Sequence, residues 1–495
     1  MKNLRIRQYQ KSTSSNLFRI SVYLFVLALL ILLFSLNISP FTIGQHGLGT
    51  YFEVSVITLG IVLLTIILIW NRHRGYFDLF ELPVWISISV YFQVLFPVLL
   101  NPDFKIVIPW LNTSNNRLWG DTVVLFAVGL LSMWLGYFIV FRFLPRTAKP
   151  ENNPKTRILR PKIAFVVWGV GTLLSILAAV SGSQGYLSIN SGFIWENYLA
   201  IIQFLGWAAW SSLMFHYLSK PSCFGSFWIL FSLATHITIG FILGTKSVIL
   251  WFVYVIMHIF YLKRKISLRW VFAAFFLAII FVPLINQTRY GLETINSGKG
   301  VSLEQRIAVI TDSITKVSKI STGSLVDQTY TTISNRQTNL FQISASVLSI
   351  HPSKISYVGN DIAMNLMTRI IPRFLWPNKP TGRSAIYDVN KLYYGVNVMG
   401  LAAIGLFADI YRTGGWFVVV VFFIGFGGGL AWLYSQGPAR GSNYGTVFYL
   451  TMLVWIILFE RDASSLMLFT FEHGILIYLF VKHMLFRPIL WGLKK

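Results

Sequence analysis

A short stretch near the three-quarter point of the chain combines positive charge with a stiff backbone. Between Arg369 and Arg383 lie three prolines and Trp376, and Arg373 and Lys379 bring the number of cations to four. Proline fixes φ and donates no backbone hydrogen bond, so the stretch is predicted to follow a rigid, non-helical path. Arginine and lysine projecting from such a path are suited to gripping an anion, phosphate above all. We call these residues the cationic proline segment.

The composition of the whole chain is that of a membrane protein. Of its 495 residues, 55% are hydrophobic and only 12% are charged, and the mean hydropathy is +0.64. These values are typical of polytopic integral membrane proteins. The net charge of +24 does not indicate nucleic-acid binding, because the basic residues are spread between apolar runs. The single cysteine, Cys223, excludes an internal disulfide.

The elements that would position the segment are transmembrane helices, each of which needs about 20 apolar residues. We predict an all-α polytopic fold with about twelve of them. The predicted helices lie at about 17–36, 53–70, 82–100, 121–143, 163–181, 197–218, 225–243, 247–262, 269–285, 414–434, 444–460 and 464–486. The first has the basic start of a signal peptide, but its apolar run is too long and no cleavage pattern follows, so it is predicted to remain as an anchor.

The cations in short loops predict the orientation. They precede the first helix and follow the second, fourth and eighth, whereas the loops near 37–52 and 182–196 carry no Lys or Arg. Because cytoplasmic loops hold the excess of positive charge, both termini are predicted to be cytoplasmic. Parity then predicts nine N-terminal helices in 1–285, a large extracytoplasmic loop at 286–413 and three C-terminal helices in 414–495.

The predicted external loop is where a site has room. It retains many cations on the side that the charge rule disfavours, which suggests a use, although a long loop also tolerates a solvated basic face. Residues 303–320 and 336–350 have helical spacing and would lie on the outer membrane surface or cap the bundle. The stretch Gly395–Arg412 is apolar, short and broken by glycine, so we expect it to be re-entrant or interfacial.

Several runs in this region resemble one protein family. They are Arg336 on a predicted helix, Pro352 ending that helix, a turn at Gly359, the run IPRFLWPNKP at 371–380 and the run GLFADIYRTGGW at 405–416. Together they resemble the Wzy-type O-antigen or exopolysaccharide repeat-unit polymerases, over about residues 240–430. Two positions depart from the family pattern: Asp409 stands where many members have Glu, and Lys246 stands where they often have Arg. The resemblance implies a GT-C-like fold.

The resemblance also implies a reaction on the outer face of the bacterial plasma membrane. A growing glycan is passed from undecaprenyl pyrophosphate to a lipid-linked repeat unit, and undecaprenyl pyrophosphate is released. Clustered Arg and Lys would stabilise the departing diphosphate. No cofactor or metal is implied, and the partners would be lipid-linked oligosaccharides, the bilayer and a chain-length regulator, without nucleic acid.

Nine residues are predicted to serve this reaction. Catalysis is assigned to Asp409, Arg373 and Arg289, and binding of the pyrophosphate or glycan to Lys379, Arg336, Arg369, Arg383, Lys246 and Trp376. Asp409 is the first choice for a base, with Asp361, Glu293 and His351 as other possibilities. Each assignment has a structural alternative: an interfacial anchor for Arg289, a salt-bridged turn for Arg373 and Lys379, an ion pair with Arg412 for Asp409, and the aromatic belt for Trp376.

Other polar and small residues are predicted to serve packing. Asp121 lies at a helix end, where charge is tolerated, and His236 is predicted to be a satisfied histidine inside the bundle. The glycine-rich run 425–429 predicts close helix packing. Three other classes of protein stay open: an O-antigen ligase that uses the same lipid donor, a polysaccharide or lipid transporter, and a membrane assembly factor without activity.

Overall fold

The computed structural model describes eleven stretches of the chain and a few isolated positions between them. The stretches are 50–74, 81–100, 116–144, 158–180, 196–219, 222–243, 283–292, 303–359, 404–437, 443–457 and 474–487. They are almost entirely helical, as the prediction of an all-α protein requires. Several predictions fall wholly or largely outside the described residues. They are the predicted helices at 17–36, 247–262 and 269–285 and the cationic proline segment.

The helices follow the predicted spans closely. In chain order they are α1 (Thr50–Arg74), α2 (Leu82–Leu100), α3 (Asn116–Phe143), α4 (Pro161–Val180), α5 (Glu196–Ser219), α6 (Cys223–Leu243), α7 (Leu303–Ser318), α8 (Thr322–Ile350), α9 (Leu406–Gln436), α10 (Asn443–Ile457) and α11 (Gly474–Leu479). A π-helix at Phe480–Leu485 follows α11, and two short strands, β1 (Ile158–Leu159) and β2 (Phe486–Arg487), form an antiparallel pair. Residues 283–292 are also helical.

Four of the described helices are long and apolar enough to cross a membrane. They are Leu118–Phe143 in α3, Pro161–Ala178 in α4, Cys223–Ile242 in α6 and Leu406–Gln436, which is α9. Shorter apolar helices lie within α1, α2 and α8 and at Gly474–Leu485. The chain is therefore a helical membrane protein, as its composition predicts.

The described chain forms two compact units. The first consists of Met1–Leu144, Ser334–Trp432 and Ile457–Met467, and the second of Pro145–Ile333, Leu433–Ile456 and Leu468–Lys495. Both units draw on N-terminal, loop and C-terminal parts of the predicted topology.

In the first unit, a buried carboxylate ties α1, α2 and α3 together. Glu81 directly precedes α2 and is 1% exposed. It accepts a hydrogen bond of 3.0 Å from Trp70 Nε1 on α1 and another from the Tyr137 hydroxyl on α3. The Trp70 ring also meets Tyr137 and Phe141 edge to face, at centroid distances of 5.5 and 5.0 Å. Because these contacts join the C-terminal turns of α1 and α3 to the start of α2, α1 and α3 run parallel to each other and α2 runs antiparallel to both.

Glycines let the backbones of α3 and α9 come into direct contact. The contacts along the seam run from Gly129 with Phe423 at one end to Val140 with Gly428 at the other. A Cβ on Gly427 would lie 1.8 Å from the Met133 carbonyl oxygen, and a Cβ on Gly136 would lie 1.9 Å from that of Ile424. The two helices therefore run parallel and touch backbone to backbone, which confirms the packing predicted for the run 425–429.

In the second unit, α4 and α5 meet at a pair of glycines. A Cβ on Gly171 would lie 2.8 Å from the Gly206 Cα, and a Cβ on Gly206 would lie 3.0 Å from the Gly171 Cα. Beside them, His236 on α6 is 2% exposed and accepts a 3.1 Å hydrogen bond at Nε2 from Trp168 Nε1. The prediction that His236 is a satisfied bundle residue is confirmed.

Candidate functional site

The run 405–416 starts with a short helix that ends abruptly. Residues 406–413 are helical, but Gly414 is extended and Gly415 has a φ of +71°, so helix geometry resumes only beyond them. A left-handed φ favours glycine because no Cβ meets the following carbonyl. A Cβ on Gly415 would also lie 2.7 Å from the Tyr357 hydroxyl. The break therefore depends on glycine at this position.

The helix break leaves backbone carbonyls without donors from their own helix. The turn after α8 supplies amide donors to these carbonyls. The amide of Val358 donates to the Arg412 carbonyl over 3.0 Å, and the amide of Gly359 donates to the Thr413 carbonyl over 2.9 Å. Two runs that are distant in sequence and that carry the family resemblance are thus joined backbone to backbone.

An ion pair fills the interior of the site. Asp409 is 0% exposed and Arg412 is 1% exposed. Arg412 Nε and Nη2 both lie 2.8 Å from Asp409 Oδ1. The Thr413 hydroxyl donates to the Asp409 carbonyl over 2.8 Å. This geometry favours the ion-pair alternative for Asp409, because the pair sits below the surface and stabilises the short helix.

Aromatic side chains from the turn 351–357 and from the run 405–416 form a cluster. The Tyr411 ring meets Tyr357 at 5.9 Å and Trp416 at 5.4 Å, both edge to face, and the Tyr357 ring stacks on His351 at 6.3 Å. The Tyr411 hydroxyl lies 3.5 Å from the His351 carbonyl oxygen. His351 and Tyr411 are buried, whereas Tyr357 is partly exposed and Trp416 is 38% exposed. The cluster thus presents two aromatic rings to the outside.

The start of α3 lies in the same unit, against the helices that form this site. Trp119 stacks on Phe341 of α8 at 5.3 Å with an interplanar angle of 10°. Phe126 meets Phe407 of α9 at 5.1 Å. Residues 340–347 of α8 are buried on every side, so this helix packs inside the unit instead of lying on a surface with one face exposed.

The second unit contains a buried arginine that sequence analysis did not select. Arg306 on α7 is 1% exposed, and its Nη1 donates a 3.1 Å hydrogen bond to the Ile242 carbonyl in the last turn of α6. Burial lowers the pKa of the Arg306 guanidinium. A cation at a helix C-terminus satisfies a free carbonyl and offsets the helix dipole. The sequence signal that could have found it is the position of Arg306 on the apolar stripe of α7.

The predicted site residues are distributed unevenly over the described structure. Arg289 is partly exposed in the helical stretch 283–292, where a Cβ on Gly291 would lie 2.6 Å from Val309 of α7. The backbone of Arg336 lies in α8, but its side chain is outside the described structure. The remaining predicted residues lie outside the described stretches: Lys246, Arg369, Arg373, Trp376, Lys379 and Arg383.

Comparisons with family models, with curated proteins and with solved structures find no match to this chain.

Proposed function

We propose that this protein is an oligosaccharide repeat-unit polymerase of the bacterial plasma membrane. It transfers a growing glycan from undecaprenyl pyrophosphate to a lipid-linked repeat unit on the outer face. The glycosidic bond to the diphosphate breaks, the acceptor hydroxyl forms the new bond, and undecaprenyl pyrophosphate leaves with the electron pair. The proposed glycosyl transfer is metal-independent.

One observation carries this proposal: the backbone pairing of the turn 357–359 with the run 405–416. The amides of Val358 and Gly359 bond to the carbonyls of Arg412 and Thr413. The cationic proline segment lies between these two runs in sequence. An anion-binding segment together with aromatic side chains suits a substrate that is part diphosphate and part sugar.

The membrane topology of the proposal has about twelve crossings and a GT-C-like arrangement, with residues 286–413 outside. The parallel course of α3 and α9 supports this count. Parallel membrane helices require an odd number of crossings between them, and the sequence predicts five, from 163–181 to 269–285. The site described above and the start of α3 then lie at the same face of the membrane.

The cations have separate roles in the proposed reaction. Arg373 and Lys379 bind the diphosphate and stabilise the charge that builds on it as the glycosidic bond breaks. For Arg289, which follows directly on the predicted ninth helix, a part in the reaction stays a prediction. The buried Arg412 is committed to Asp409, and this pair holds the helix break to which the turn 357–359 is bonded.

Substitution of Arg373 tests the proposal. Arg373→Ala and Arg373→Lys are both expected to abolish long-chain glycan in cells while the protein still inserts, because lysine keeps the charge but loses the planar fork. Glycan length is measured on a gel, and insertion by the amount of protein in the membrane fraction.

Lysine substitutions provide a matched comparison. Lys379→Ala is expected to shorten the glycan, whereas Lys319→Ala, at an exposed position after α7, is expected to leave it unchanged. If cells with Arg373→Ala make glycan of wild-type length, the assignment of the cationic proline segment to donor binding is wrong.

A further inference from the structure

Helix α7 begins at the end of a membrane span. Arg306, in the first turn of α7, donates from Nη1 to the Ile242 carbonyl oxygen over 3.1 Å. Ile242 is the last residue of Cys223–Ile242, the part of α6 that is long and apolar enough to cross a membrane. Because the Arg306 side chain is buried, this contact is a fixed part of the packing. The first turn of α7 is therefore placed at the boundary between hydrocarbon and headgroups.

A second contact joins α7 to the helical stretch 283–292. A Cβ on Gly291 would lie 2.6 Å from Cγ1 of Val309, which follows Arg306 by about one turn. The stretch 283–292 continues from the predicted span 269–285. A helix that contacts the ends of two spans within one turn is suited to lie along the membrane surface, across both of them.

The exposed part of α7 includes two large apolar side chains. Ile307 and Ile314 are 51% exposed each. They are about two turns apart, so they lie on one side of the helix, which we call the isoleucine face. Asp312 and Lys316 form an exposed ion pair over 2.7 Å, and each lies about 200° around the helix from Ile314. This ion pair and the isoleucine face are therefore on opposite sides of α7.

The hydroxyl groups beside the isoleucine face do not need water as a partner. Thr311, Thr315 and Ser318 each donate to a carbonyl oxygen of the preceding turn of α7, over 3.0 Å. A hydroxyl that bonds to its own helix can enter an apolar environment without leaving its donor unsatisfied. This side of α7 is therefore compatible with lipid.

The neighbours of α7 also have the character of a membrane boundary. Tyr290, next to the glycine that contacts Val309, is 67% exposed, and tyrosine is enriched where a membrane meets water. Along its span, α6 exposes Phe227, Leu230 and Phe231. Such side chains face lipid in a helix that crosses a membrane. The isoleucine face thus belongs to a helix bonded to the end of a span whose exposed surface is already covered by lipid.

We infer that α7 is an interfacial helix and that its isoleucine face inserts into the acyl chains of the bilayer. The helix lies parallel to the membrane surface, and the ion pair of Asp312 with Lys316 is directed to water. Amphipathic helices of this kind insert about 5–10 Å into the boundary between headgroups and acyl chains. In the predicted topology this is the outer leaflet, so α7 anchors the first part of the loop 286–413 to the membrane. The inference does not depend on the proposed reaction.

The test uses the full-length protein in proteoliposomes of phosphatidylcholine and phosphatidylglycerol. The single cysteine, Cys223, is exposed and is first replaced by serine, so that one introduced cysteine can carry an environment-sensitive fluorophore. Ile307→Cys and Ile314→Cys report on the isoleucine face. Asp312→Cys and Lys316→Cys are the matched controls on the opposite side, where loss of an exposed ion pair costs little stability. Lipids that carry a nitroxide quencher, either near the headgroup or at the end of the acyl chain, measure the depth of each label.

Both labels on the isoleucine face are expected to be quenched severalfold more strongly than the controls by the nitroxide near the headgroup. The nitroxide at the chain end is expected to quench them less, because an interfacial helix stays in the upper part of the leaflet. Their emission is expected at a shorter wavelength than that of the controls, since their surroundings are apolar. Ile307 and Ile314 report on the same face independently, so either variant decides the result if the other does not fold.

Three results would overturn the inference. Equal quenching of all four labels would mean that the two sides of α7 have the same surroundings. Stronger quenching from the chain end would place the helix within the hydrocarbon core. Short-wavelength emission at Ile307 and Ile314 without quenching by either lipid would mean that a second copy of the protein covers the isoleucine face. Because the measurement needs no glycan, its outcome is separate from success or failure of the proposed polymerase activity.

Discussion

Replacing Gly427 with alanine should weaken the seam between α3 and α9. The added Cβ would lie 1.8 Å from the Met133 carbonyl oxygen, whereas ordinary van der Waals contact begins at 3.4 Å. A backbone carbonyl cannot rotate aside within a helix, so the two helices must separate locally by about 1.6 Å, the difference between these distances. Membrane helices associate largely through close packing, so the separation removes contacts along the whole seam.

The expected magnitude follows from two opposing effects. Overpacking a well-packed interior typically costs about 1–3 kcal/mol. Alanine in place of glycine in a helix returns up to about 1 kcal/mol through helix propensity. We therefore expect Gly427→Ala to lower the free energy of unfolding by up to about 2 kcal/mol.

The same helix offers two matched controls. Among the described residues, no atom lies within 4 Å of a Cβ built on Gly425 or on Gly429. Both alanine variants should be as stable as wild type, or more stable by up to about 1 kcal/mol. The free energy of unfolding is measured by titrating the purified protein with a denaturing detergent. Equal stability of the three variants would refute the argument from backbone contact.

A double variant sharpens this comparison. Gly136 meets the Ile424 carbonyl on the same seam, so Gly136→Ala should be destabilising by itself. The combined Gly136→Ala and Gly427→Ala variant should lose less stability than the sum of the single losses, because either substitution alone already separates the helices. Additive losses would indicate two independent sites.

Three further predictions concern the buried polar groups and the helix break. Gly415→Ala should lower the melting temperature, because the left-handed φ and the nearby Tyr357 hydroxyl both oppose a Cβ, at a cost of about 1–2 kcal/mol for φ alone; stability equal to wild type would contradict this. Asp409→Asn should destabilise the protein by about 3–5 kcal/mol, since Arg412 is left as a buried charge, and normal expression and melting would count against the ion-pair role. Arg306→Leu should expose the end of α6 to faster amide hydrogen exchange, because a helix carbonyl loses its donor; unchanged exchange there would speak against the capping role.

Much of the helical layout could be predicted from hydropathy, and the failures have physical causes. The predicted bounds 82–100 match α2 residue for residue, because a mainly apolar run lies between the polar residues Glu81 and Asn101 in the sequence. The predicted helix 336–350 misses the first fourteen residues of α8, which begins at Thr322. That part is rich in threonine and serine and has no apolar period, so its helical state depends on tertiary contacts.

The site was partly predictable as well. The i,i+3 spacing of Asp409 and Arg412 predicted their ion pair as an alternative, and the structure forms it. The glycines of 425–429 predicted close packing, but only the structure distinguishes Gly427 and Gly428, which face α3, from Gly425 and Gly429, which do not. The contact of Phe126 with Phe407 was not predictable, since these residues are distant in sequence and meet only through the packing of α3 against α9.

The most direct test of the central claim is the length and location of lipid-linked glycan in cells from which this gene is deleted. The proposed polymerase predicts single repeat units on the outer face of the plasma membrane, and return of long chains when the wild-type gene is restored. Long chains that stay attached to undecaprenyl pyrophosphate would indicate a ligase instead. Single repeat units confined to the cytoplasmic face would indicate a transporter, and either result would contradict the account.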